Sequence, residues 1–191
     1  MARPDIPIPD EPKAPFPILI SHTKVIAGFG RGSSSIGIPT ANVPIEDIPD
    51  KIGDDLETGV YFGYVKIIDD SEAQDSHISL RNDGKTEVEF TYAKDLTDGE
   101  DKNVILPMVM SIGWNPFFKN EKKTCELHII HNFNNINFYG ANLKFNILGY
   151  IRPELDYTTL EALIKDINID IDVAKDYLSK PGYQNFKAQL N

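Results

Sequence analysis

The chain has 191 residues, 41% hydrophobic and 25% charged, with a formal net charge of −10. That usage excludes a disordered chain, collagen and a coiled coil, and the length suits one domain. No apolar run nears the ~20 residues that span a bilayer, and the acid-bearing start is not a secretory signal. The acidic balance argues against general nucleic-acid or anionic-membrane binding, while a local basic site for a small anion stays open. One cysteine, Cys125, has no partner for an internal disulfide. It points to a reducing, cytoplasmic compartment, with organelle import of a longer precursor left open.

Six of the 13 prolines fall in residues 1–17. Proline fixes φ and lacks an N–H, so this stretch reads as an extended arm, most simply a free tail ahead of a body at 18–191. Strand signals follow at Lys24–Phe29, Val60–Ile68, Ser76–Arg81, Thr86–Ala93, Val104–Ile112, Thr124–His131 and Leu143–Ile151. Asp83-Gly84 between two of them predicts a tight hairpin, with Val88, Phe90 and Tyr92 on one face. Acid-rich pieces at 69–72 and 95–101 read as solvated loops. Helical spacing is clear only late, at Leu160, Leu163, Ile164, Ile167, Ile171, Ala174 and Leu178. Thr158 with Glu161 predicts the cap, and Lys180-Pro181-Gly182 the stop, of a helix packed outside a sheet. Many strands with one late helix predict a mainly β fold, an antiparallel barrel with a C-terminal α-helix.

Gly28-Phe29-Gly30-Arg31-Gly32-Ser33 is the densest glycine segment. Its backbone can bring N–H groups to a phosphate, although it matches neither the dinucleotide fingerprint nor a Walker loop. A plain glycine-rich hairpin loop remains the alternative. Thr40 and Asn42, two apart on an extended segment, share a face and are neutral oxygen donors suited to magnesium. Glu126 lies in an apolar strand and shares a face with His128, with His131 on the other. The pair is either an outward-facing solvated pair or a general base at the barrel mouth. The divergence of His128 and His131 argues against zinc held by them. Cys125 reads as a small core residue. Trp114, at a strand end, either packs the core or stacks on a flat ligand. Lys119, Lys122 and Lys123 form the basic cluster, and Arg152 is a candidate anion clamp.

Taken in order, several of these segments resemble the riboflavin kinases. They are Gly28–Ser33, Gly37-Ile38-Pro39-Thr40-Ala41-Asn42, Thr58–Gly63, Ser111–Pro116, Glu126–Ile129, Phe138-Tyr139-Gly140 and Gly149–Glu154. The resemblance covers residues 22–180 and is of the stand-alone eukaryotic type. It implies a six-stranded antiparallel Greek-key barrel that transfers the γ-phosphoryl of ATP to the ribityl 5′-hydroxyl of riboflavin, forming FMN and ADP. It also implies Glu126 as the catalytic carboxylate and Thr40 and Asn42 as ligands of Mg2+, or of Zn2+ or Mn2+, bound with ATP. Gly28, Gly30, Arg31, Gly32, Ser33, Thr40, Ile129, His131 and Tyr139 match nucleotide positions. Arg152 and Tyr157 match flavin positions, and Trp114 is grouped with them as the aromatic able to stack. A monomer that takes ATP and riboflavin, with no nucleic acid and no transmembrane segment, is expected. Ser34 and Leu155 stand where animal relatives often carry lysines, so those contacts are not carried over. Residues 69–103 are longer than in animal relatives and read as a decorated hairpin outside the chemistry.

Overall fold

The structure is a computed structural model that describes residues 2–28, 37–49, 56–69, 75–114, 119 and 121–191. Among the described residues the strands are β1 (Ile18–Lys24), β2 (Ala41–Val43), β3 (Gly59–Ile68), β4 (His77–Leu80), β5 (Glu87–Phe90), β6 (Ile105–Trp114), β7 (Lys123–Ile129), β8 (Asn142–Ile147) and β9 (Gly149–Arg152). Six of them run β1-β8-β3-β6-β7-β2, all antiparallel, and β9 pairs alongside β3. Just past β1, Ile26 bridges Asn42 of β2, which brings the two ends of the path together. The β3-β6-β7 meander with β2 returning beside β7 is the Greek-key order. β4 and β5 form a separate two-stranded hairpin.

β3 shows why the strand reading worked. Tyr61, Val65 and Ile67 enter the barrel core, while Phe62 and Tyr64 enter a second core under the helix. A strand covered on both faces is apolar nearly throughout, as here. That second core also takes Ala174 and Leu178 of helix α1 (Leu160–Leu178), with Leu148, Tyr183 and Leu190. Among the described residues no helix is long and apolar enough to cross a membrane.

Several boundaries differ from expectation. The first strand is Ile18–Lys24, earlier than 24–29, because Ile18 and Ile20 enter the core directly after the prolines. β2, three residues between Pro39 and Pro44, makes a paired strand of the segment read only as extended. The expected strand 143–151 is two, interrupted where the Leu148 amide donates to the Phe62 carbonyl. The helix cap is Thr159, one residue later than read; it is extended, and its side chain accepts from the Ala162 amide. Lys180-Pro181-Gly182 does follow the helix end, and Pro181 opens the short helix α2 (Pro181–Gln184).

The proline-rich arm is docked, not a free tail. Arg3 pairs with Asp170 at 2.7 Å and donates to the Asp166 carbonyl. The Tyr183 hydroxyl donates to the Pro9 carbonyl at 2.7 Å, and Lys180 pairs with Asp10 at 2.6 Å. Phe16 meets the Tyr61 ring edge-on. An arm with so few amide donors pairs few of its own carbonyls, that of Lys13 with the Phe16 amide being one, so others such as that of Pro9 are available to side chains of the body.

Candidate active site

β2 and β7 set the centre of the site. In their antiparallel register Asn42 stands directly opposite Glu126, so both side chains share one face of the pair. Cys125, Leu127 and Ile129 alternate into the core. Burial pushes the Cys125 thiol pKa far up, which makes it inert, as expected of a core cysteine. Two residues before Asn42, the Thr40 hydroxyl lies 3.4 Å from the Glu126 Oε2. Gly28 packs against Asn42: a Cβ there would meet the amide group at 2.6 Å. The glycine is therefore needed for Asn42 to hold its place, independently of any phosphate role.

His128 secures the segment bearing Thr40. Its Nδ1 lies 2.7 Å from the Pro39 carbonyl, an acceptor, so Nδ1–H donates. Burial lowers the imidazole pKa, a shift opposed in part by that bond. The neutral ring is the favoured form. The His131 Nε2 lies 2.7 Å from Asp101 Oδ1. The Asp101 carboxyl is held below the usual range, first by the Thr97 amide and then by His131.

These groups surround a cavity of about 750 Å³. Thr40, Asn42, Glu126, Ile129, His131 and Tyr139 all line it, as does His128. Glu126 and His128 are therefore cavity-lining, not simply outward-facing. His131 joins them although alternation put it on the opposite face. β7 ends at Ile129, where the His131 amide turns back onto the Ile129 carbonyl, so the two-residue period no longer applies. Among the described residues no three His, Cys, Asp or Glu cluster as a metal site.

Other expected residues lie elsewhere. Gly30, Arg31, Gly32 and Ser33, with Ser34 and Asn115-Pro116, lie outside the described residues. Trp114 is 48% exposed with the Lys123 ammonium 5.2 Å from its ring, so it does not pack the core. Arg152 is buried and commits Nε and Nη2 to Asp170 at 2.8–3.1 Å. Tyr157 donates to Asp166 at 2.8 Å, and its ring centroid lies 5.9 Å from the Arg152 guanidinium carbon. None of these three lines the cavity. In the basic cluster, Lys122 pairs with Glu46 and Lys123 donates to the Leu56 carbonyl.

The sequence reading missed Arg81, which lines the cavity and donates to the Tyr139 hydroxyl at 3.1 Å. It also treated the loop at 95–101 as solvated, yet Asp101 and its neighbour Lys102 are buried. No local pattern marks either contact, since the partners are 58 and 30 residues away.

Comparison with known proteins agrees along the chain. A family model described as "Flavokinase: Riboflavin kinase" matches residues 16–178. A riboflavin kinase of Kluyveromyces lactis is 56% identical over 186 residues, covering 97% of both chains. One from Saccharomyces cerevisiae is 53% identical over 188 residues, covering 97% of this chain and 84% of the relative. The crystal structure of riboflavin kinase from Trypanosoma brucei superposes with a TM-score of 0.55 at 22% identity, over 92% of this chain and 86% of that one. At that identity it speaks for the fold alone. Identity at about half of all positions, over almost the whole length, makes this chain a member of the riboflavin kinase family.

Proposed function

We propose that this protein transfers the γ-phosphoryl group of ATP to the ribityl 5′-hydroxyl of riboflavin, forming FMN and ADP. The observation that carries the reading is a carboxylate, Glu126, held beside the Thr40 hydroxyl and opposite Asn42 in a cavity of about 750 Å³. Phosphoryl transfer needs an aligned hydroxyl, a neutralised phosphate tail and little covalent chemistry from the protein. Glu126 accepts the proton of the attacking hydroxyl. Thr40 and Asn42 are oxygen donors beside a carboxylate, a set that fits a hard divalent cation. They would hold Mg2+, or Zn2+ or Mn2+ in its place. Held there with ATP, the ion would supply charge neutralisation at the phosphates. With neutral side chains as its main ligands, it is expected to arrive with the nucleotide.

His128 holds the Pro39-Thr40 segment in register, and Asp101 orients the His131 ring. Ile129, His131 and Tyr139 form the nucleotide wall, Gly28 and the loop beyond it serve the phosphates, and Trp114, Arg152 and Tyr157 belong to the flavin side. The test is incubation with riboflavin, ATP and magnesium, with separation of products. FMN is expected; its absence from a folded protein leaves a non-catalytic flavin or nucleotide carrier. Glu126→Gln keeps the shape but cannot take the proton. Single-turnover FMN formation should fall on the order of 10²–10⁴-fold, toward the lower end if the proton leaves late. Separately measured affinities for riboflavin and ATP should stay close to wild type. An unaltered chemical rate removes Glu126 from the mechanism.

A further inference from the structure

The segment at 69–103 reads from sequence as a hairpin outside the chemistry, yet its described residues meet two cavity-lining residues, Tyr139 and His131, and the strand end that leads to Gly28. The Asn82 amide donates to the Ala27 carbonyl at 3.2 Å, one residue before Gly28. The Tyr92 amide donates to the Tyr139 carbonyl at 2.9 Å. Asp101 holds His131. Next to the first of these anchors, Arg81 follows β4 at the start of the turn. Its amide donates to the Thr86 carbonyl at 2.7 Å and its carbonyl accepts from the Gly84 amide at 2.9 Å. The backbone that presents Arg81 is thus fixed on both sides.

Arg81 lines the cavity, and no other arginine or lysine among the described residues does. One guanidinium nitrogen donates to the Tyr139 hydroxyl at 3.1 Å, and its carbon lies 5.6 Å from the Tyr139 ring centroid. Among the described residues no carboxylate forms an ion pair with it. A guanidinium has five N–H donors and never loses its charge, so the bond to a neutral phenol leaves most of its capacity unused. The carboxylate lining the same cavity, Glu126, is assigned to the hydroxyl acceptor. Riboflavin is uncharged, whereas ATP and ADP carry polyphosphate oxygens, the acceptors that a planar fork matches.

We propose that Arg81, delivered by the hairpin of β4 and β5, is a nucleotide-binding residue that contacts the phosphates of ATP and ADP while bracing Tyr139. This rests on the riboflavin kinase reading for the identity of the nucleotide. The test compares Arg81→Ala and Arg81→Lys with wild type. Steady-state FMN formation gives KM for each substrate, and calorimetric titration with ADP plus magnesium and with adenosine gives affinities without turnover.

The Arg81→Ala protein should show KM for ATP raised about tenfold or more, the loss of one charge-assisted contact. KM for riboflavin and kcat should stay within about twofold, because the contact is made in ground and transition state alike. ADP affinity should fall by the same factor as ATP, and adenosine affinity, which senses only the lost brace on Tyr139, should fall much less. Arg81→Lys keeps charge and volume, so it folds if the alanine variant does not, and it should recover part of the ADP affinity. Unchanged ADP affinity in a folded Arg81→Ala protein overturns the proposal. Equal weakening of adenosine and ADP also overturns it, since Arg81 then only supports the Tyr139 wall. Wild-type protein that forms no FMN would defeat the kinase reading instead, and the ADP titration would still decide the role of Arg81.

Discussion

Thr40 carries more than one constraint at a single position. Its hydroxyl lies 3.4 Å from Glu126 Oε2, and the carbonyl just before it is held by His128. Removing the hydroxyl leaves that backbone bond in place, so Thr40→Ala is expected to fold and melt like wild type. Magnesium-dependent FMN formation should nevertheless fall strongly, with the magnesium requirement shifted to higher concentration. Normal turnover at saturating ATP and ordinary magnesium would remove Thr40 from the metal set. Glu126 was legible in the sequence because an acid in an apolar strand is costly unless it is solvated, paired or used. Arg81 was not legible, because its importance depends on a tyrosine 58 residues away.

Among the elements, α1 was the clearest in sequence and still held an unread feature. Its spacing of apolar residues announced a helix packed outside the sheet, and Ala174 and Leu178 are buried as that requires. Asp170 interrupts the apolar stripe and is only 2% exposed. It accepts from Arg152 of β9 and pairs with Arg3 of the arm, so one carboxylate ties helix, sheet and N-terminus together. Breaking a buried pair by removing one charge typically costs about 3–5 kcal/mol. Asp170→Asn keeps the volume and leaves two guanidiniums without their counter-charge. It is expected to lower Tm by roughly 10 °C, at about 2–4 °C per kcal/mol for a chain of this size. Thermal melts check this; an unchanged Tm would show that solvent replaces the lost charge. Riboflavin titration of the same variant asks whether Arg152 also serves the flavin.

For the whole molecule, the arm and the C-terminal turns act as one closing layer. Tyr183 and Leu190 are buried, and the Tyr183 hydroxyl is capped by the Pro9 carbonyl. Asn146, buried in β8, accepts from the Tyr64 amide and donates to Phe186 and Gln189 near the C-terminus. Deleting residues 2–13 strips the Arg3 and Pro9 contacts and uncovers that layer. Tm should drop by roughly 5–10 °C, again at about 2–4 °C per kcal/mol. FMN formation at low temperature should be retained, because no arm residue lines the cavity. Equal melting of the full and shortened proteins would show that the arm contributes nothing.

From residues alone came the mainly β class, most strand positions, the Asp83-Gly84 turn and the late helix, because period-two and period-3.6 patterns are local consequences of which side is buried. Gly84 takes the expected positive φ, +69°, but Asp83 does not, and the chain turns through four residues between Arg81 and Thr86, a wider loop than a two-residue turn. The motif residues Thr40, Asn42 and Glu126 were also visible, since each sits in a short recognisable segment. Only the tertiary structure set Asn42 opposite Glu126, docked the arm on Asp170, carried Arg81 to the cavity wall and set Asp101 behind His131. Those placements depend on strand register and on contacts between residues 30 to 167 positions apart. A single sequence has no local signal for such pairs, because the burial and charge neutralisation that favour them exist only once the barrel has closed.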